Sequence, residues 1–274
     1  MTKVVSKQLL PVYDKPLIYY SLTTLMLAGI TEMLIITTPQ DAHLFKALLG
    51  DGAQWGLSFS YAEQARPEGV PQALTIGRDF IGDSNVALIL GDNMFFGHGL
   101  GAMLERCAQL EEGGLVFGYR VKDPQRYGVV EFAGDGRVRS IMEKPAKPRS
   151  NFAVTGLYFF DRQAPEIAAG LKPSARGETE IVDVINTNHR AGTLRVEALA
   201  TGYAWLDTGT PESLIDAGQF VRAVEQRQGY KIACPERIAF QRGLITVKDL
   251  RRLAAPLAKS EYGDYLLRLA DGLV

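Results

Sequence analysis

Two aspartates in this sequence stand where a carboxylate can act on phosphates. Asp92 lies in the run LGDN, directly after the apolar stretch Val86 to Leu90 (VALIL). The glycine before it lets the backbone turn closely past a ligand. A carboxylate at the end of a buried strand can hold a hard cation such as Mg²⁺, which takes oxygen ligands and keeps phosphate oxygens beside them. The same residue equally suits a turn in which the carboxylate bonds its own backbone. Asp207, in WLDTGT ahead of Pro211, has the same double character: a metal ligand or an ordinary helix-entry residue. Lys7, in SKQLLP, could meet a phosphate as a point charge; a solvated lysine is the plain alternative. Glu143 and Lys144 precede Pro145. Neighbours on a strand point to opposite faces, so both reach one ligand only if the strand ends or bends there, and proline supplies that end. An exposed charged turn is the other reading.

A competing pattern is Gly97, Gly99 and Ala102, which fit the G-x-G-x-x-A dinucleotide fingerprint with Asp123 downstream. It would make the chain an NAD-type oxidoreductase. The fit is imperfect, because the first glycine of that motif abuts its strand, whereas GDNMFF separates Leu90 from Gly97.

The elements that must position these residues alternate along the first half. Pro16 to Leu27 reads as a helix, with proline at its first position and Gly29 at its left-handed stop. Met33 to Thr38 and Val86 to Leu90 are short apolar runs of buried strands, and Leu57 to Ala62 and Leu115 to Val121 are further strands. Helices are expected at Asp41 to Leu49, Gln72 to Phe80 and Leu100 to Glu111. Such alternation implies a doubly wound, mostly parallel α/β sheet covered on both faces, with ligands beyond the C-terminal ends of the strands. The pattern changes after residue 125. Val129 to Phe132 and Val138 to Ile141 flank AGDG, a hairpin signal. Ala153 to Phe160 and Leu194 to Leu199 are strands, and Glu180 to Arg190, Pro211 to Gln228 and Val247 to Leu257 are helices followed by a polar tail. We expect a core over 1–210, with a β-rich part at about 125–200, and a C-terminal helical region over 211–274.

With 274 residues, 46% apolar and 22% charged, the chain can bury a sizeable core. A formal net charge of -1 without charged blocks argues against a nucleic-acid or anionic-membrane partner. Two distant cysteines and three scattered histidines offer no zinc spacing, and buried thiols in a reducing compartment are expected. The opening MTKVVSKQLLP has no signal-peptide apolar segment, so a cytoplasmic location is the expectation.

The runs SKQLLPVYDKPLIYY, LMLAGI, TPQD, LGDNMFFGHGL, RYGVVEF, EKP, NFAVTGLYFFD, LKPSARGE and GYAWLDTGT occur in this order. Together they resemble the glucose-1-phosphate thymidylyltransferase family of sugar nucleotidyltransferases, from Met1 essentially to the C-terminus. The resemblance implies a Rossmann-like nucleotidyltransferase fold with a sugar-binding insertion, and transfer from dTTP to α-D-glucose 1-phosphate without a covalent intermediate. It implies Mg²⁺ on Asp92 and Asp207, and Lys7 and Gln8 near the nucleotide phosphates. Gln64 and Gly69 match the thymine and deoxyribose side. Gly128, Glu143 and Val154 match sugar contacts, Lys144 the sugar-phosphate lysine, and Arg176 its assistant. A homotetramer with feedback by a dTDP-sugar is implied as well. Family members carry a buried strand and a glycine-rich loop, L-A-G-G-x-G-T-R-L, ahead of the part matching Thr2 to Pro11, and neither is in this sequence. That departure implies an internal start or a truncated copy, strongly reduced activity, and, as an alternative function, a non-catalytic sugar-nucleotide-binding or regulatory subunit.

Overall fold

The structure, a computed structural model, describes residues 5–274; the expectation placed on Met1 to Lys3 lies outside them. The chain enters through a two-strand hairpin, β1 (Pro11–Val12) and β2 (Lys15–Pro16), that leads into α1 (Ile18–Leu27). The helix therefore starts two residues later than the sequence pattern predicts. Pro16 pairs with Pro11, and the Leu17 amide donates to the Leu10 carbonyl (2.9 Å), which keeps the backbone extended up to that point. Then follow β3 (Glu32–Thr37), α2 (Ala42–Leu49) and β4 (Ser58–Glu63). The helix expected over Gln72 to Phe80 is two short ones, α3 (Gln72–Ile76) and α4 (Arg78–Ile81), meeting at Gly77, where a helix is weakest.

β5 (Val86–Ile89) runs into the Asp92 turn, and β6 (Asn93–Phe96) leaves it before α5 (Leu100–Cys107). Beyond come β7 (Gly114–Arg120), the hairpin β8 (Gly128–Phe132) and β9 (Val138–Glu143), and the long β10 (Phe152–Phe160). After α6 (Ala164–Ala169) and α7 (Ile181–Ala191), β11 (Leu194–Ala198) and β12 (Ala204–Asp207) close the sheet elements. Four helices end the chain: α8 (Pro211–Gln228), α9 (Pro235–Gln241), α10 (Val247–Ala254) and α11 (Glu261–Ala270). The stretch read as a polar tail is thus partly helical. Ser260 caps it, and Tyr265, Leu266 and Leu269 form a buried stripe at helical spacing.

The α/β layering is as the pattern implies, but the sheet is mixed rather than mostly parallel. Its main body has the order β11-β7-β10-β8-β9, with β5 also on β10. β11 and β7 are parallel, while β10 runs against β5, β7 and β8. A strand buried on both faces, such as FAVTGLYFF, carries no mark of its direction. β3 and β4 pair in parallel as a separate two-stranded sheet. Among the described residues no strand pairs with the edges of β3 and β5 that look toward each other. A cavity of about 410 Å³ lies there, lined by Leu34, Ile36, Leu74, Leu88 and, from α1, Ile18 and Leu22. Apolar strands built for burial are accordingly only half-buried on β5.

The C-terminal helices share a core with the start of the chain: Leu22, Met26, Phe45 and Trp55 pack with Ile238, Leu250 and Leu266. A buried ion cluster fastens the entry hairpin to α8. Lys15 meets Glu225 (2.9 Å) and Asp14, and Lys231 meets both carboxylates, at 2.8 Å and 2.5 Å.

Candidate active site

Asp92 sits in a turn clamped from two sides. Ser21 of α1 donates to the carbonyls of Leu90 (3.0 Å) and Asn93 (3.1 Å). From the far side, the Thr208 amide and hydroxyl both donate to the Asp92 carbonyl, at 3.1 Å and 2.8 Å. β12 and β6 pair antiparallel, setting Asp207 opposite Asn93. The sequence pattern predicts neither of these strands, and their pairing is what brings the two aspartates together. Thr210, not Asp207, caps α8 through a reciprocal bond with Ser213, so Asp207 is free for another role.

The Asp92 carboxylate is held at both oxygens. Oδ2 meets Lys7 Nζ at 2.5 Å, and Oδ1 accepts from Asn93 Nδ2 at 2.9 Å. Asn93 is only 2% exposed. Its Oδ1 accepts from the Gly156 amide (3.0 Å) and the Trp205 indole (2.6 Å). Burial, and then the Asp92 charge, raise the Asp207 carboxyl above the usual carboxylate range, while Lys7 and Arg126 pull it down. Two neighbouring carboxylates with oxygen donors only, in the absence of histidine or thiol, match the chemistry of a hard divalent cation shared with phosphates. Among the described residues no group of three or more His, Cys, Asp or Glu forms a closed metal cage. An oxygen pair that borrows its remaining ligands from a substrate needs none.

Gln8 packs across Gly91, where a Cβ would lie 2.8 Å from its Cγ. Gln64 follows β4, and its amide donates to the Thr37 carbonyl (2.8 Å). Gly69 forms an isolated bridge with Thr179 at which any Cβ would strike the Thr179 carbonyl. That contact joins the loop after β4 to the loop that carries Arg176.

Gly128 and Glu143 are register partners, and the Gly128 backbone lies against Val154 (3.6 Å to a built Cβ). Glu143 Oε1 faces Lys144 Nζ (3.6 Å) and Arg176 Nη1 (3.5 Å). The bend that the Glu143-Lys144 pair requires comes from Lys144 itself, at φ 40. A bulky residue in that region is strained, and the Lys144 amide bond to the Tyr127 carbonyl (2.9 Å) helps hold it. Burial, then the Glu180 charge, push the Glu143 carboxyl up, against Lys144 and Arg176. Tyr158 is buried between the two clusters: burial raises its phenol, with further contributions from Glu143, Asp92 and Asp207.

Lys7, Asp92 and Asp207 form one charged group, and Glu143, Lys144 and Arg176 a second; the Gly97 pattern is in neither. A Cβ on Gly97 would strike the Tyr203 ring, and Gly99 (φ 73) opens α5. β6 pairs antiparallel with β12, so no dinucleotide-type βαβ unit exists there, and the NAD reading is withdrawn. Asn93, Thr208, Trp205, Tyr127 and Arg126 carry no site signal of their own in the sequence pattern. Asn93 lies in LGDN, but its contacts depend on β10 and β12, which are remote in sequence.

The nucleotidyl transferase family model matches residues 1–224. A glucose-1-phosphate thymidylyltransferase of Xanthomonas campestris pv. campestris (strain B100) is 57% identical over 270 residues, 98% of this chain and 92% of that protein. The chain belongs to the glucose-1-phosphate thymidylyltransferase family of nucleotidyl transferases. The family member of Mycobacterium tuberculosis (strain ATCC 25618 / H37Rv) is 54% identical over 271 residues, 99% of this chain and 94% of that one. A solved structure from Bacillus anthracis titled as a thymidylyltransferase of this family, in complex with a sucrose, superposes with a TM-score of 0.74 at 37% identity over 81% of this chain and 88% of that one. A UDP-glucose pyrophosphorylase complexed with UDP-glucose gives 0.68 at 25%, over 83% and 93%. Thymidylyltransferases of this family match nearly the whole chain and the chain spans most of their length, so the comparisons give no support to a separate non-catalytic class. No helix among the described residues is long and apolar enough to cross a membrane.

Proposed function

We propose that this chain joins dTTP and α-D-glucose 1-phosphate to give dTDP-glucose and pyrophosphate. The observation that carries this reading is the Lys7–Asp92 pair (2.5 Å), with Asp207 brought near it by the pairing of β6 and β12, together with the group of Glu143, Lys144 and Arg176. In the reaction a phosphate oxygen of the sugar phosphate attacks the α-phosphorus of dTTP as the bond to the β-phosphate bridging oxygen breaks and pyrophosphate departs. Both reactants are anions, so catalysis rests on holding them in line and neutralising charge.

Lys7 and Gln8 take the nucleotide phosphates in this reading, and Gln64 and Gly69 its base and deoxyribose. Lys144 and Arg176 take the sugar phosphate. Gly128 and Val154 shape the sugar pocket, and the Glu143 carboxylate accepts from glucose hydroxyls. Asp92 and Asp207 would hold Mg²⁺, which supplies charge neutralisation at the reacting phosphates. Cytoplasmic residence and a homotetramer belong to the same reading. The buried free thiols Cys107 and Cys234 suit a reducing compartment, and Ile215, 60% exposed on α8, is an apolar contact available to a second copy.

The test is pyrophosphate release with dTTP, glucose 1-phosphate and Mg²⁺. Asp92→Ala is expected to lower kcat about a hundredfold or more, the scale of losing one preorganised electrostatic contact. No turnover by the unaltered chain, or equal turnover by the variant, overturns the reading.

A further inference from the structure

Gln64 donates from Nε2 to Gln72 Oε1 at 2.5 Å. Gln72 in turn donates from Nε2 to Glu68 Oε2 at 2.9 Å. The row ends on a carboxylate, and an ionised carboxylate can only accept. Gln72 must therefore turn its NH₂ toward Glu68 and its oxygen toward Gln64, and Gln64 must turn its own NH₂ toward Gln72. The Glu68 amide, a donor only, approaches Gln72 Oε1 at 3.4 Å and favours the same orientation. The Glu68 backbone is itself fixed, its carbonyl accepting from the Thr179 amide and hydroxyl, both at 3.0 Å.

We propose that Gln72 and Glu68 are positioning residues that fix the orientation of the Gln64 amide and thereby select a pyrimidine with a 4-keto, N3–H edge over one with a 4-amino, N3 edge. The proposal rests on the nucleotide reading above, in which Gln64 meets the base. With one N–H committed to Gln72, Gln64 offers one N–H and one oxygen. That donor–acceptor pair complements an imide, whose O4 accepts and whose N3–H donates. A 4-aminopyrimidine presents the reverse order and needs a flipped Gln64. The flip sets the Gln64 oxygen against the Gln72 oxygen, and turning Gln72 to relieve that sets its oxygen against the Glu68 carboxylate. The relay does not touch position 5 of the base, so it separates thymine and uracil from cytosine but not from each other.

Two variants test this. Glu68→Gln replaces the accept-only terminus with an amide that can turn, so the whole row can flip together. Adding Gln72→Glu to that variant puts an accept-only group back, one place nearer Gln64. Equilibrium binding of dTTP and dCTP is measured by calorimetry, with turnover of each alongside glucose 1-phosphate. The unaltered chain is expected to prefer dTTP. Glu68→Gln should cut the dTTP/dCTP preference about fivefold, the weight of one partly solvated hydrogen bond, chiefly by improving dCTP. The double variant should recover it. A purely structural role would lower binding of both nucleotides equally and leave the ratio in place. A ratio unchanged within about twofold in Glu68→Gln, or left low in the double variant, overturns the relay. Failure of the unaltered chain to bind either nucleotide overturns the functional reading beneath it, and the relay with it.

Discussion

Asn93 shows how little freedom a site residue retains when donors surround it. The Gly156 amide and the Trp205 indole can only donate, so they force its oxygen inward and its NH₂ onto Asp92. Asn93→Asp keeps both acceptor bonds but sets a second carboxylate beside Asp92. It should fold, yet lose the N–H that orients the Asp92 carboxylate and so lower kcat; an unchanged kcat would refute this. Asn93→Ala leaves two buried donors unpaired and should lose about 2–4 kcal/mol in urea unfolding. Glu143 offers a pH test. Burial leads the causes that raise its folded-state pKa above the unfolded value. The folded state then binds that proton more tightly, so this group's stabilising contribution is full at low pH and is lost as pH rises through the raised carboxylate range. Glu143→Gln is therefore expected to melt higher than the unaltered chain at neutral pH, with the gap closing on acidification. Melting curves across pH check it, and a gap that widens on acidification contradicts the sign.

At the scale of elements, the entry hairpin owes its place to charge as much as to packing. Lys15 is nearly sealed, its side chain 2% exposed, and Glu225, at 3%, is its partner on α8. Burial by itself would lower the Lys231 amine, but its bonds to Asp14 and Glu225 outweigh burial and raise it. Glu225→Ala leaves Lys15 and Lys231 to share Asp14 alone, with one charge uncompensated, and should destabilise by about 3–5 kcal/mol, because a buried charge without its partner is costly. Denaturant unfolding measures this. Because β1 follows directly on the Lys7 turn, the same variant should also weaken nucleotide binding.

At the scale of the whole molecule, the sheet elements fall into separate ladders. The β3–β4 pair faces β5 across the apolar cavity, and α1 with the C-terminal helices supports one side while β10 and α7 support the other. Backbone groups on the facing edges of β3 and β5 lack ladder partners among the described residues. Their amides should exchange with solvent faster than those of β7 and β10, which are paired on both edges. Hydrogen exchange read by mass spectrometry distinguishes the two sets, and equal protection would show that the two ladders act as one.

Local pattern determined much of this protein. VALIL, MLIITT and the helix from Pro211 to Gln228 formed where their apolar spacing and caps placed them, because those signals act within a few residues. The ordered motifs carried the family. Tertiary structure decided the rest. Whether Asp207 caps a helix or faces Asp92 depended on β12 pairing with β6, and neither four-residue strand has enough pattern of its own to announce it. The direction of β10 and the orientation of Asn93 and Gln72 were likewise set by partners far along the chain. A carboxylate's neighbours in sequence say what it could do; its neighbours in space decide which of those options it can still take, as Thr210 does by capping α8 in place of Asp207.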